Sequence, residues 1–334
     1  MKVLFIGGTG VISSACAELA VQRGYRLYLL NRGQSLRPAA AGAKVLHADI
    51  RQPGSVQAAL GDLTFDAVFD AVVDWVAYTP EHVRNDVELF RGRTGQYIFI
   101  SSASAYQTPP QFLPVTESTP LHNPFWGYAR DKAACEALLW DLYLREGFPG
   151  TVVRPSHTYD RTLLPVRGGY TTVARMRAGK PVVVHGDGTS LWTLTHSRDF
   201  ATGLVGLLGN PHALGEAFHI TSDEWLSWNQ IYEIVAHAAG AEPRFVHVPS
   251  DLIAAFDPEQ GASLLGDKAH SMIFDNNKIR RLVPDFQARI PFWQGAREIM
   301  AWYEADPARQ ATDARLDALQ DRIIAAMERA FPPK

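Results

Sequence analysis

Cysteine is nearly absent from this chain. Its 334 residues include 2 cysteines, Cys16 and Cys135, each in a stretch that reads as helix. So few, so far apart, they support neither a disulfide framework nor a thiolate metal site. The 11 histidines form no HExxH or similar spacing, so metal catalysis has little to rest on. No uncharged apolar run is long enough to span a bilayer, and Met1 leads straight into a strand pattern instead of a leader; we expect a cytoplasmic protein with no membrane partner. A net charge of −3 and the lack of a basic, aromatic-rich tract make nucleic acid a poor partner. What remains is ordinary globular composition, 46% hydrophobic and 20% charged, enough to bury a large core.

The order of apolar runs carries the fold. Lys2 to Ile6 is a short strand closed by Gly7-Gly8-Thr9-Gly10, followed by a helical pattern that stops near Gly24. Tyr25 to Leu30, Lys44 to His47, Ala67 to Val73, Gln96 to Ile100 and Gly150 to Arg154 read as further strands. Helical patterns at Pro53 to Leu60, Pro80 to Phe90 and Tyr128 to Arg145 lie between them. Short apolar strands alternating with helices predict an α/β fold, a parallel sheet with helices on both faces. Beyond Arg161 the pattern is less regular: a loop to Gly169, a helix from Tyr170 to Ala178, a strand from Pro181 to His185, and a helix from Asp199 to Leu208 that returns to the main sheet. From Glu216 onward we expect helices separated by Pro and Gly turns, notably Asn229 to Ala239 and Ala296 to Glu304. This divides the chain into a first domain over residues 1–160 with a return segment at 195–220, and a smaller substrate region over 161–194 and 221–334.

Two sets of residues point to chemistry. The spacing Gly7-x-x-Gly10-x-x-Ser13 between the first strand and first helix allows a tight turn and close approach of backbone to a pyrophosphate at the helix N-terminus, with Val11 and Ile12 opening that helix. Ser13 stands where a third glycine is usual. The second strand ends in Leu30-Asn31-Arg32-Gly33, with no acid for ribose hydroxyls and an arginine able to take a 2′-phosphate, so the cofactor is NAD or NADP with a lean toward NADP. Asp49-Ile50 after the third strand offers a carboxylate to the adenine side, or simply a turn aspartate.

The second set is Tyr128-Ala129-Arg130-Asp131-Lys132, which puts a phenol and an ammonium on one helix face. Hydride transfer at a carbinol carbon needs proton movement on its oxygen; tyrosine can supply it and a neighbouring ammonium favours phenolate. Ser101-Ser102-Ala103-Ser104 follows the fifth strand, on the sheet edge where open α/β folds place ligands. Taken together, these segments resemble the extended branch of the short-chain dehydrogenase/reductase superfamily, the NAD-dependent sugar epimerases and dehydratases. The resemblance is firmest over residues 1 to about 220.

That resemblance implies a Rossmann-like domain with a smaller mixed C-terminal substrate domain, and Ser102, Tyr128 and Lys132 as the catalytic set, with Lys132 also reaching the nicotinamide ribose. Ser101 and Ser104 are the alternatives to Ser102. Arg154-Pro155 through Tyr159 matches the family's Arg-Pro segment and places His157 toward the substrate, as a hydrogen-bonding group, a second acid/base or a structural histidine. Gly186-Asp187-Gly188 and His196 to Asp199 match a further shared region. There Trp192 stands where nucleotide-sugar enzymes commonly carry a diphosphate-binding arginine; an indole stacks on a sugar face or packs in the core but neutralises no phosphate. Arg175, Arg177 or Arg280 could still meet a phosphate, and Glu117 and Asp160 are nearby acids without an assigned role.

The dehydratase Asp-Glu pair is missing, Ala103-Ser104 standing in its place. Epimerisation of a sugar or sugar derivative through transient hydroxyl oxidation is therefore expected, with a sugar dehydrogenase/reductase as the alternative and a nucleotide-sensing or RNA-associated protein as a more distant one. The resemblance also implies a homodimer through helices near Pro80 to Phe90 and Ala133 to Leu144, where core packing accounts for at least part of the run Leu138, Leu139, Trp140 and Leu142.

Overall fold

Strand and helix alternate along the first half of the chain as the apolar pattern requires. In the computed structural model, which describes residues 1–61 and 69–331, β1 (Lys2–Ile6) is followed by α1 (Val11–Gln22), β2 (Arg26–Asn31), β3 (Lys44–His47) and α2 (Pro53–Gly61). Next come β4 (Ala71–Asp74), α3 (Pro80–Phe90), β5 (Tyr97–Ile100), α4 (Gly127–Glu146), β6 (Gly150–Pro155) and β7 (His157–Tyr159). The expected strand from Ala67 begins at Ala71; residues 67 and 68 lie outside the described residues. The second half runs α5 (Tyr170–Arg177), β8 (Val182–His185), β9 (Leu191–Trp192), β10 (Leu194–His196), α6 (Ser197–Leu207), β11 (Glu216–Ile220), β12 (Leu226–Ser227), α7 (Trp228–Ala238) and β13 (Phe245–Val248). Five helices close the described chain: α8 (Ser250–Phe256), α9 (Pro258–Ser263), α10 (Asn277–Leu282), α11 (Phe292–Glu304) and α12 (Ala314–Ala330).

The main sheet has seven parallel strands in the order β11-β6-β5-β4-β1-β2-β3. Strand period decides which residue faces which core. Val3 and Phe5 of β1 join Leu27 and Leu29 of β2 in a core with α1 and α6, while Leu4, Ile6, Tyr28 and Leu30 face the core under α3 and α4. Each such aliphatic side chain, removed from water, contributes about 1.5–3 kcal/mol. The chain order changes direction at β1, with β2 and β3 on one side and β4 on the other. Open α/β sheets hold ligands at the carboxyl ends of strands beside such a switch point.

Sequence pattern missed β11. It lies in a stretch read as helical, yet it pairs in register with β6 from Glu216 opposite Thr151 to Ile220 opposite Pro155. Strand length and a preceding return helix distinguish it only in three dimensions. Three two-stranded pairs, β7 with β10, β9 with β12 and β8 with β13, carry the chain over the carboxyl end of the sheet. Around them a separate core forms from Tyr106, Tyr159, Trp192, Trp228, Phe292 and their neighbours.

Candidate active site

The turn after β1 is built around residues that cannot carry side chains. Gly7 and Gly8 have φ of 102° and 108°, a region costly for other residues. A Cβ on Gly8 would lie 2.6 Å from the Leu29 side chain. Ser13, the departure from a third glycine, turns inward: the Gly10 N–H donates to its Oγ at 2.8 Å, so the small side chain fastens the turn. Val11 and Ile12 form the first turn of α1, with Ile12 packed against the core. The outward N–H groups of such a first turn attract anions. A groove of about 430 Å³ opens beside it, lined by Gly7, Asn31, Arg32, Asp49, Ile50 and Tyr78 among others. Asn31 Oδ1 accepts from Gly33 N–H at 2.9 Å and Asp49 Oδ1 from Arg51 N–H at 3.0 Å, so both are fixed as turn residues facing the groove. Arg32 is exposed at its rim. This cradle, closed to a Cβ and open to a diphosphate, fits a dinucleotide.

Sequence pattern did not reveal what holds the loop that continues from the groove. Arg37, in the loop after β2, donates to Asp160 Oδ2 at 2.5 Å and Thr162 Oγ1 at 2.5 Å, and reaches the Gly10 carbonyl at 3.4 Å. Asp160 is thereby occupied in an ion pair. Arg51 spans the groove floor to the Val76 carbonyl.

Ser102, Tyr128 and Lys132 converge where the sheet edge meets the N-terminal half of α4. Lys132 is 2% exposed, and its ammonium donates to the carbonyls of Ala77 at 2.6 Å and Ile100 at 2.8 Å. It stands 5.8 Å from the Tyr128 ring centroid and 4.7 Å from that of Phe99. Burial lowers its pKa to about 8, with the nearby Asp74 carboxylate opposing. Burial raises the Tyr128 phenol to about 12, against the lowering effect of the Ser102 hydroxyl that faces it. Ser102 Oγ is itself 2.8 Å from Ser104 Oγ and accepts from the Ser104 N–H at 3.2 Å. Ser101, by contrast, donates to Glu136 Oε1 at 2.5 Å, behind the site, where it serves packing.

That same Glu136 carboxylate takes three hydrogen bonds from Arg154, at 2.6, 3.0 and 3.1 Å. Both side chains are almost wholly buried, and Arg154 also lies 4.7 Å over the Tyr106 ring. The arginine of the Arg-Pro segment is thus a strut between β6 and α4.

In front of Tyr128 lies a cavity of about 270 Å³. Ser102 and Tyr128 form one wall; Trp126, Trp192, Met272 and Phe274 supply apolar surface, and His157, Asp267 and Lys268 bring polarity. Trp192 resolves both of its open readings at once. It is 4% exposed and belongs to the second core, yet its ring also faces the cavity. Its indole N–H donates to His157 Nδ1 at 3.1 Å. Burial, with the nearby Lys268 cation, lowers His157 to about 3, which favours the neutral imidazole.

The other candidate groups are committed elsewhere. Arg175 bonds Asp317 and Asp321 under α12, Arg177 pairs with Glu304, and Arg280 with Asp223; none lines the cavity. Glu117 Oε1 accepts the His219 N–H at 3.2 Å. On α4, Leu139 is fully buried, and Leu138, Trp140 and Leu142 pack partly against the same core. Trp126, Asp267 and Lys268 were not singled out by sequence pattern, because the turn carrying the latter two has no helical or strand period to mark it.

A model of the NAD dependent epimerase/dehydratase family matches residues 3–221. The chain belongs to that family. As the sequence motifs imply, it is an NAD-dependent enzyme of the short-chain dehydrogenase/reductase type. Among curated relatives of this family member, 2'-dehydrokanamycin reductase of Streptomyces kanamyceticus is 27% identical over 293 residues, covering 86% of this chain and 81% of the relative. The chloroplast stem-loop binding protein of 41 kDa b of Arabidopsis thaliana is 28% identical over 263 residues, 74% of this chain and 65% of the relative. Among solved structures, UDP-glucuronic acid 4-epimerase of Bacillus cereus, in complex with UDP-glucuronic acid and NAD, superposes with a TM-score of 0.72 at 18% identity, covering 91% of this chain and 99% of that one. This likeness concerns the fold.

Proposed function

We propose that this family member transfers hydride at a secondary carbinol of a carbohydrate-like substrate, using NAD or NADP held on the turn after β1. The observation that carries the reading is the convergence of Ser102, Tyr128 and Lys132 between the glycine cradle and the aromatic cavity. When bound, the nicotinamide supplies a hydride acceptor and donor. Ser102 orients the substrate oxygen, and Tyr128 takes or returns its proton. Lys132, anchored on two carbonyls, keeps a positive charge beside the phenol, which favours phenolate despite burial. Gly7, Gly10, Val11, Ile12, Asn31, Arg32, Asp49 and Ile50 hold the cofactor, Arg32 favouring a 2′-phosphate; His157 and Trp192 belong to the substrate wall. The sheet with its returning α6 and β11 forms the cofactor unit, and the segments over its carboxyl edge form the substrate unit.

A ketone kept in the cavity until hydride returns gives epimerisation. Net reduction is the second reading. It is favoured by the curated relative matched over most of its length, whose name is that of a reductase. A homodimer through α3 and α4 accords with this reading. The test is purified protein with NAD⁺, NADP⁺ or their reduced forms against sugars and keto sugars. A product epimer with no net change in 340 nm absorbance on the order of the substrate consumed supports epimerisation. Stoichiometric cofactor turnover supports the reductase, and Tyr128→Phe must lower either one by about 10²–10⁴. Turnover unaffected by that change refutes the proposal.

A further inference from the structure

The far wall of the cavity is a constructed feature. Residues Leu264–Lys268 make a single π-helical turn, a form frequent at functional sites. The turn is clamped from several sides. Asn123 Nδ2 donates to the Gly266 carbonyl at 2.6 Å, and a Cβ at Gly266 would lie 2.8 Å from Trp126 Cβ. The Lys268 carbonyl is held by Ser190 Oγ at 3.0 Å and lies 3.1 Å from His185 Nε2. The outcome is that Asp267 and Lys268, adjacent in sequence, both face the space before Tyr128.

Their side chains are incompletely satisfied. Among the described residues, the polar partner of the Asp267 carboxylate is the Lys268 ammonium at 3.6 Å, beyond hydrogen-bonding distance. Lys268 donates to Ser263 Oγ at 2.9 Å and stands 5.6 Å and 5.8 Å from the Trp126 and Trp192 ring centroids. The Asp267 carboxylate, 14% exposed, is thereby left free to accept a hydrogen bond from a ligand. One acid and one base, with His157 neutral, leave the cavity without the surplus of cations that a diphosphate needs. Trp126 and Trp192 in the lining bring indole surface that suits the C–H face of a sugar ring. Burial raises Asp267 to about 6, opposed by Lys268, so it is mostly ionised near neutrality.

We propose that Asp267 and Lys268 form a hydroxyl clamp that selects an uncharged sugar ring bearing no phosphate, one hydroxyl donating to the carboxylate and an adjacent oxygen accepting from the ammonium. This rests on the hydride-transfer reading for which face of the ring reacts, but its test is binding. With NAD⁺ saturating, titrate the full-length protein with neutral methyl glycosides of hexoses and pentoses. Compare their 1- and 6-phosphates, UDP-glucose and the 2-amino analogue, following tryptophan fluorescence and calorimetry.

At least one neutral glycoside should bind roughly tenfold or more tightly than its charged counterparts. Asp267→Asn and Lys268→Met should each weaken it by about tenfold, and Lys268→Arg should restore most of the loss. Tighter binding of a phosphate, UDP-glucose or the amine overturns the clamp. So does binding by no neutral glycoside, or indifference to both substitutions. Selective binding without turnover would sink the hydride-transfer reading alone. Turnover indifferent to Asp267 and Lys268 would sink the clamp alone.

Discussion

Replacing Glu136 by leucine should be the most destabilising single change near the site. The carboxylate is fully buried and the Arg154 side chain is 4% exposed. Leucine matches the volume but leaves a guanidinium in the interior with the Glu117 carbonyl at 3.3 Å and the Tyr106 face as its remaining described neighbours. Ser101 loses its acceptor at the same time. Removing one partner of a buried pair costs about 3–5 kcal/mol, because the other charge stays desolvated. Replacing both partners by apolar side chains is often nearly neutral. Urea unfolding followed by circular dichroism, with the denaturant slope held common, should therefore show a loss of about 3–5 kcal/mol for Glu136→Leu. Most of it should return in the Glu136→Leu, Arg154→Met double variant. A single-variant loss under about 1 kcal/mol, or a double loss equal to the sum of the two singles, would refute the reasoning.

Three further outcomes follow from the site. Tyr128→Phe should lower kcat by about 10²–10⁴ while calorimetry finds cofactor affinity unchanged; equal loss of both would make Tyr128 a binding residue. His157 and His185 are held neutral, at about 3 and about 4, both chiefly by burial. Unfolded, both bind protons below the ordinary histidine pKa, so stability present above about 6.5 should fall as pH drops toward 4, by up to about 1.4 kcal/mol per pH unit per histidine. Urea midpoints from pH 7 to pH 4 test this, and His157→Asn should shallow the slope. Arg32→Asp should move the ratio of kcat/KM for NADP⁺ over NAD⁺ downward by at least about tenfold, the loss of one charge-assisted contact; an unchanged ratio would remove Arg32 from cofactor selection.

Legibility in the sequence tracked the range of the interactions. β1, the glycine turn and α1 could be read because strand period, turn chemistry and helix onset are local. Ser102, Tyr128 and Lys132 lie on two such elements, so chain order alone brings them to one sheet edge. The commitments of other residues were invisible because they depend on distant partners: Arg175 is spent on Asp317, Asp160 on Arg37, and Ser101 on Glu136. The seventh strand was missed for the same reason, since β11 is a strand by virtue of pairing with β6. The cavity wall at Asp267 and Lys268 lies furthest from prediction, being held by Asn123, Ser190 and His185 from three other parts of the chain.

The bond from Arg37 to Asp160 and Thr162 has a consequence for timing. One side chain fastens the loop after β2, the Gly10 carbonyl and the segment leaving β7 at a single corner. Parting those contacts releases the loop after β2 and the segment beyond β7 together. The pair is partly solvated, 25% and 11% exposed, so parting it costs about 1 kcal/mol and the corner can open often. The loop after β2 and the segment beyond β7 are thus free to move apart only when one side chain lets go of both.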